Sequence, residues 1–544
     1  MPFRAPIACL DNVSVIEAES APREARKHQR MVRRQGGRYQ RVALTAAALA
    51  VIPAVIAVIG AGLDALLSGG RYGIPALLTP DATAATFTLG LVGTSEGVAI
   101  AIVVVVVVLG VQVSADRYSP RIIEIFLADR LNVGVVALFL GSIVLTVLIS
   151  LQVKGDYVPL VGVYLAVVLA VVDFTLLLPY MRHLFQFMRG DAIIASVHHT
   201  ARKLIATAAA SGSVRNRDEL SNTVDQISDI ALGSITRGDV EMGLVAIEAL
   251  RQLIVDAYLP AKSRLPGHWF RVGRADMSGS SDETIADVDR SHVWLEHKIL
   301  SQFVVLIGET PVYRKEIIHA IARATRETGL AAVRHQDAEL IDLVVRFFNT
   351  YLRASINQRA STFAYVLINE YRRLAAEVLE GHPDLAVTIA GHLMAYGRSS
   401  DAVGLSFVLG TAAQDVAELV RAAAARKPSL SLQLTDVLLR AMAELRETPT
   451  SAALRGLLVS CVKLALWSLE EGLSDVTVAL LPALRQAPPG LLADSLARMA
   501  ELKTRRFWEV SDRVDAYEYV QPELAARLPE LAELIESRAE AAKV

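Results

Sequence analysis

Gly90-Leu-Val-Gly-Thr-Ser-Glu-Gly-Val-Ala-Ile-Ala-Ile-Val-Val-Val-Val-Val-Val-Leu-Gly-Val-Gln-Val113 carries one ionisable side chain, Glu96, and is too apolar for a helix surrounded by water. A helix crosses the hydrocarbon of a bilayer with about 20 such residues, and this stretch supplies them. Working outward, comparable stretches frame four spans at residues 42–63, 87–113, 133–153 and 157–180. Pro53 falls inside the first, where neighbouring helices can satisfy the freed carbonyl. The overall 53% of hydrophobic residues hides a split, because charge is nearly confined to the loops until about residue 180 and ordinary afterwards. The expected fold is all-α: a four-helix transmembrane domain followed by a large cytoplasmic, solenoid-like α-helical domain.

Orientation follows from the basic residues. The flank before the first span holds Arg23, Arg26, Lys27, Arg30, Arg33, Arg34, Arg38 and Arg41; the loop after the second adds Arg117, Arg121 and Arg130. The opposite loops hold Arg71 and Lys154. Lys and Arg stay on the cytoplasmic side, so the expectation is a multi-pass protein of the plasma (inner) membrane with both termini in the cytoplasm. Anionic lipid head groups are the expected partner of the basic segment 1–41.

A few polar residues interrupt the spans. Glu96, Gln112, the Ser142/Thr146/Ser150 stripe and Asp173 compose a candidate polar path, with Glu96 at the outer mouth and Asp173 and Gln112 toward the inside. Carboxylates at membrane depth are costly and commonly mark ion or proton routes. The same hydroxyls serve equally as helix-packing groups. Gly93, Gly97 and Ala101 form a small-residue stripe that lets another helix approach closely.

Between the second and third spans lies an inner elbow, residues 114–132. Ser119 before Pro120 reads as an N-cap followed by proline at the first helical position. Gln112, Tyr118, Ser119, Pro120, Arg121, Asp129 and Arg130 carry a resemblance. They resemble the signature of an uncharacterised bacterial membrane-protein family, domain of unknown function 2254. In that family a span ends in glutamine, an aromatic-Ser-Pro-Arg stretch follows, and an Asp-Arg pair leads into the next span. Val104, Val105, Val107 and Glu124 depart from its usual pattern, which marks a divergent member. The resemblance implies four spans and a long helical C-terminal part, and it supplies no activity.

Residues 191–263 read as a membrane-proximal helical region, 264–290 as a mobile loop, and 291–544 as a solenoid-like array of antiparallel helices with breaks 18–22 residues apart. Gly329 and Gly397 read as helix ends, as do Lys427-Pro428, Gly472, Pro488-Pro489 and Gln521-Pro522. Trp269-Phe270 and Phe507-Trp508 read as packing anchors. No phosphate-binding loop, dinucleotide fingerprint, zinc helix or Gly-x-Ser-x-Gly elbow occurs, so neither enzyme, metal nor cofactor is expected. With 55 Lys and Arg against 57 Asp and Glu, no nucleic-acid partner is expected. Cys9 and Cys461 are too few for a disulfide framework. Two functions compete: a homo-oligomeric ion channel or transporter assembled or gated by its helical domain, and a membrane-anchored adaptor whose helical array binds a cytoplasmic protein.

Overall fold

The computed structural model describes residues 80–117, 130–187 apart from 156, 190–211, 215–445 apart from 275, 276 and 278, 451–505 and 516–541. The predicted first span, the basic segment 1–41, Cys9 and the elbow residues Tyr118, Ser119, Pro120, Arg121 and Asp129 lie outside them. The chain divides into two compact units, Met1–Ile193 and Ile194–Val544.

In the first unit, α1 (Ala82–Arg117), α2 (Arg130–Ser150) and α3 (Leu160–Phe187) pack against one another. Helix α1 starts where the Asp81 carboxylate accepts the Ala84 amide at 2.7 Å, five residues earlier than the predicted span. A tight turn, closed by reciprocal Lys154–Tyr157 backbone bonds of 3.0 Å, joins α2 to α3. Ala85, Leu89, Ile149, Val163 and Ala166 form an apolar core at this turn end of the three helices. Only 22% of each apolar window is buried by protein, so the remaining apolar surface needs hydrocarbon around it.

The second unit is a stack of helices in two layers. One layer runs α5 (Arg215–Thr236), α8 (Trp294–Glu309), α10 (Ala338–Asn357), α12 (Pro383–Ala402), α14 (Pro428–Leu445) and α16 (Ser474–Arg485). The other runs α6 (Val240–Gln252), α9 (Lys315–Arg334), α11 (Ser361–Val378), α13 (Ser406–Ala424) and α15 (Ser451–Glu470). Each helix packs on its neighbour in sequence and on the next member of its own layer, the arrangement of an α-solenoid. Outside the layers lie α4 (Gly190–Ser211), α7 (Asp282–Ser291), α17 (Pro489–Glu501) and α18 (Leu528–Ala541), besides the short helical pieces Leu253–Tyr258, Leu259–Lys262 and Pro522–Ala525. Helix α15 is also long and apolar enough to cross a membrane, but 67% of its apolar window is buried. It packs on α13, α14, α16 and α17, so protein rather than lipid uses its apolarity.

Arginines clamp the second layer step by step. Arg251 of α6 lies 3.2 Å from Glu327 of α9, and Arg326 of α9 lies 2.8 Å from Glu370 of α11. Arg372 of α11 lies 3.5 Å from Asp415 of α13, and the Arg421 guanidinium of α13 sits 5.7 Å over Trp467 of α15. Glu370 and Asp415 are fully buried, so each acid requires a counter-charge; Glu370 has a second one in Arg373 of its own helix, at 2.9 Å. At the far end Gly410 and Gly456 let α13 and α15 almost touch: a Cβ on Gly456 would stand 2.8 Å from the Gly410 Cα. The Tyr517 hydroxyl, from the segment after α17, sits between the carbonyl oxygens of these two glycines, within hydrogen-bond reach of both for its single proton.

Two local expectations come out differently. Gly329 and Gly397 lie inside α9 and α12, where each admits a neighbour rather than ending a helix. A Cβ on Gly329 would meet Val344 at 3.1 Å, and one on Gly397 would meet Leu409 at 2.8 Å. The segment read as a loop from 264 to 290 holds a 3-10 turn, Gly267–Phe270, and the start of α7, capped by Ser281. Trp269 and Phe270 are buried and hold the 3-10 turn against the protein.

Replacing Arg326 with alanine takes one of two guanidinium partners from the buried Glu370 carboxylate, leaving Arg373 at 2.9 Å, and lowers stability by about 2 kcal/mol, read as a fall in the thermal unfolding midpoint. Adding Glu370→Gln restores most of it. A second outcome concerns pH. Burial, and then the Arg346 guanidinium, push the His297 imidazole down to about 4. A folded-state value below the unfolded one stabilises the protein above pH 6.5 or so, and that stability, at most about 3 kcal/mol, is lost as pH falls toward 4. Unfolding midpoints measured from pH 7 to pH 4 therefore decline, and His297→Gln removes part of the slope.

Candidate functional site: carboxylates between the membrane helices

Each of the three helices contributes polar side chains to one buried cluster. Glu96 comes from α1, Ser142 and Thr146 from α2, and Asp173 from α3; all are at most 2% exposed. The Ser142 hydroxyl donates to Glu96 Oε1 at 2.7 Å. Ser142 and Glu96 are both electrostatic neighbours of Asp173, but a hydroxyl has one proton, and here Glu96 receives it. Glu96 Oε2, both Asp173 carboxylate oxygens and Thr146 Oγ1 consequently have no hydrogen-bond partner. The antiparallel register of α1 and α2 explains the juxtaposition. One turn from the Glu96–Ser142 bond, a Cβ on Gly93 would lie 3.6 Å from the Thr146 methyl group, so Gly93 of the small-residue stripe faces Thr146 of the hydroxyl stripe.

The sequence sets Glu96 at an outer mouth and Asp173 further in. The structure sets them level. At ~1.5 Å per residue, Glu96 lies about 21 Å along α1 from Ala82 and Asp173 about 20 Å along α3 from Leu160, both from the same end of the bundle. The early start of α1 at Asp81 produces the difference. The other predicted members are elsewhere: Gln112 is exposed on α1, Ser150 is half-buried at the turn end of α2, Ala101 is exposed, and a Cβ on Gly97 would meet open space. Arg130 opens α2. The result is a compact cluster at mid-depth rather than a line of polar groups from face to face.

Two buried residues that sequence reading passed over lie toward the Arg130 end. Asn132, one turn into α2, is 5% exposed, and Tyr180, seven residues beyond Asp173 on α3, is 2% exposed. An asparagine beside an uninterrupted apolar run was the available signal. Pro179, inside α3, has no amide hydrogen to offer, which frees the Thr175 carbonyl on the same side of Asp173.

The helical array holds no comparable convergence on a ligand. His198 is half-buried and His199 exposed on adjacent faces of α4. His392 Nδ1 lies 3.1 Å from the Tyr371 hydroxyl, and His319 Nε2 lies 3.8 Å from Glu370. Among the described residues no group of three or more His, Cys, Asp or Glu side chains could hold a metal ion. Cys461 is fully buried, and burial pushes its thiol up to about 12. Phe507 and Trp508 lie outside the described residues.

No curated protein matches the chain. A solved structure described as a "circular tandem repeat protein with novel repeat topology and enhanced subunit contact surfaces" overlays 66% of this chain and 92% of its own, at 15% identity and a TM-score of 0.28, a likeness too slight to carry a conclusion. Residues 39–235, from the first predicted span into α5, match the family profile described as "Predicted membrane protein (DUF2254)", the same family that the Gln112–Arg130 motif resembles.

Proposed function

We propose that this membrane protein moves a cation across the bilayer, and that Glu96, Ser142, Thr146 and Asp173 form the site where the cation pauses. One observation carries the reading: Asp173 is fully buried in a helix long enough to span, with neither carboxylate oxygen hydrogen-bonded. Leaving such a group there costs several kcal/mol if it is charged and uncompensated, and intramembrane carboxylates that persist at that cost serve as ion or proton sites. Charge selection follows, since two acids repel anions and attract cations. The apolar core of Ala85, Leu89, Ile149, Val163 and Ala166 closes the turn end above the cluster. Opening therefore requires these helices to separate or a second copy to complete the route.

A second reading, the membrane-anchored adaptor, draws support from the helical array. A cleft on the second layer is lined by Leu244, Lys315, His319, Arg323, Tyr365 and Asn369. Further along, residues 519–524 lie against α13 and α15, so this layer accepts a peptide segment.

Reconstituted in liposomes, the protein should pass cations down an imposed gradient. Glu96→Gln and Asp173→Asn should each slow that flux by about tenfold or more, corresponding to roughly 1.4 kcal/mol of lost ion stabilisation. Ser95→Ala, on the exposed face of α1 beside Glu96, should leave it unchanged. If the double variant supports growth of a deletion strain as well as the parent and the liposomes stay silent, the adaptor reading replaces this one.

A further inference from the structure

The composition of the cluster narrows what it holds. Glu96 and Asp173 are the titratable groups turned inward near this level; α2 contributes only the hydroxyls Ser142 and Thr146, and no described Lys, Arg or His pairs with either acid. Two negative charges without a counter-charge are untenable in hydrocarbon, so protons or a metal cation must neutralise them.

The supply of oxygen ligands decides between these. A hard metal cation such as Ca2+ takes about six to eight oxygens. Membrane sites for Na+ commonly obtain theirs from carbonyls where helices are broken. Here α1, α2 and α3 run through the level of the cluster as continuous helices, whose carbonyls are committed to their own amides. The exception is Thr175, freed by Pro179 two residues beyond Asp173. The atoms left over are Glu96 Oε2, the two Asp173 oxygens and Thr146 Oγ1. Among the described residues that is too sparse a shell for a dehydrated metal ion, whereas a proton needs one oxygen to bond and one to approach. Thr146 is the independent pointer: a buried hydroxyl with no partner, one turn before the end of α2, waits for a donor or acceptor that arrives with the ligand.

We propose that the cation held between Glu96, Ser142, Thr146 and Asp173 is the proton, taken up from the Arg130 end of the three helices. Its use in transport rests on the reading above; its presence does not. On the turn side five apolar residues block water, while Asn132, Tyr180 and the Thr175 carbonyl supply polar atoms toward the opposite end. A hydronium ion gives up one O–H proton to an Asp173 carboxylate oxygen, which forms an O–H bond and leaves water behind. The proton leaves by breaking that bond, to Glu96 Oε2 or back to water. No electrons move and nothing else is consumed.

Infrared difference spectra of the full-length protein in nanodiscs test this directly. At neutral pH the parent should show the carbonyl stretch of a protonated carboxyl group, displaced in heavy water, and Asp173→Asn or Glu96→Gln should diminish it. Because each carboxamide mimics a neutral acid, both variants should keep the parent's thermal unfolding midpoint within a degree or two. Absence of the band, or a band untouched by both substitutions, overturns the proposal. So does binding of Na+, K+ or Ca2+ that both substitutions abolish. The two readings fail separately. Silent liposomes with the band present remove transport and leave the proton in place, whereas sodium flux without the band does the reverse.

Discussion

A carboxylate in hydrocarbon must be neutralised, and the first unit is arranged around two of them. Glu96 and Asp173 lie at one level on helices that run in the same direction, with α2 antiparallel between their faces carrying the hydroxyls. One hydroxyl proton serves one oxygen, which leaves three carboxylate oxygens without a hydrogen bond, the Thr146 hydroxyl engaging none of them. Apolar packing above them at Ala85, Leu89, Ile149, Val163 and Ala166 excludes water from one side and raises the stakes of every unmatched charge. Gly93 of α1 packs beside Thr146, where a Cβ would stand at van der Waals distance, 3.6 Å, from the threonine methyl group.

The second unit answers the same constraint in the opposite manner. Its buried acids, Glu296, Glu370 and Asp415, each have a cation at hand: Lys262 at 2.8 Å, Arg326 at 2.8 Å and Arg372 at 3.5 Å. In such pairs the attraction offsets desolvation when the remaining hydrogen bonds are also made. Placing matched charges between successive helices and unmatched ones between the membrane helices separates an architectural use of buried charge from one that demands a ligand.

Much of this was legible in the residues. Runs such as Ile102–Leu109 have one physical explanation, and the array of helices follows from punctuation by Pro428, Gly472 and Pro489. What could not be read was depth and partnership. The start of α1 depends on Asp81 accepting an amide, a detail outside the apolar run, and it moves Glu96 from the rim to the middle. Gly329 and Gly397 look like stops because glycine ends helices often, yet here absent side chains make room for Val344 and Leu409. Membership of the cluster is decided by facing: Ser142 and Thr146 turn inward together, whereas Ser150 and Gln112, equally polar, do not. The arginine clamps escaped notice because their partners sit dozens of residues away and differ in kind from step to step.

Those clamps bear on how the stacked helices deform. A helix that slid past its neighbour by one turn would part Glu370 from Arg326, leaving it Arg373 of its own helix, and would pull apart Arg251 and Glu327, each a loss above thermal energy. Small rotations about the clamped points carry no such penalty. The array is therefore stiff against shear and compliant in bending, like a leaf spring riveted at intervals, and a displacement imposed at one end is carried along it as curvature rather than absorbed by slippage.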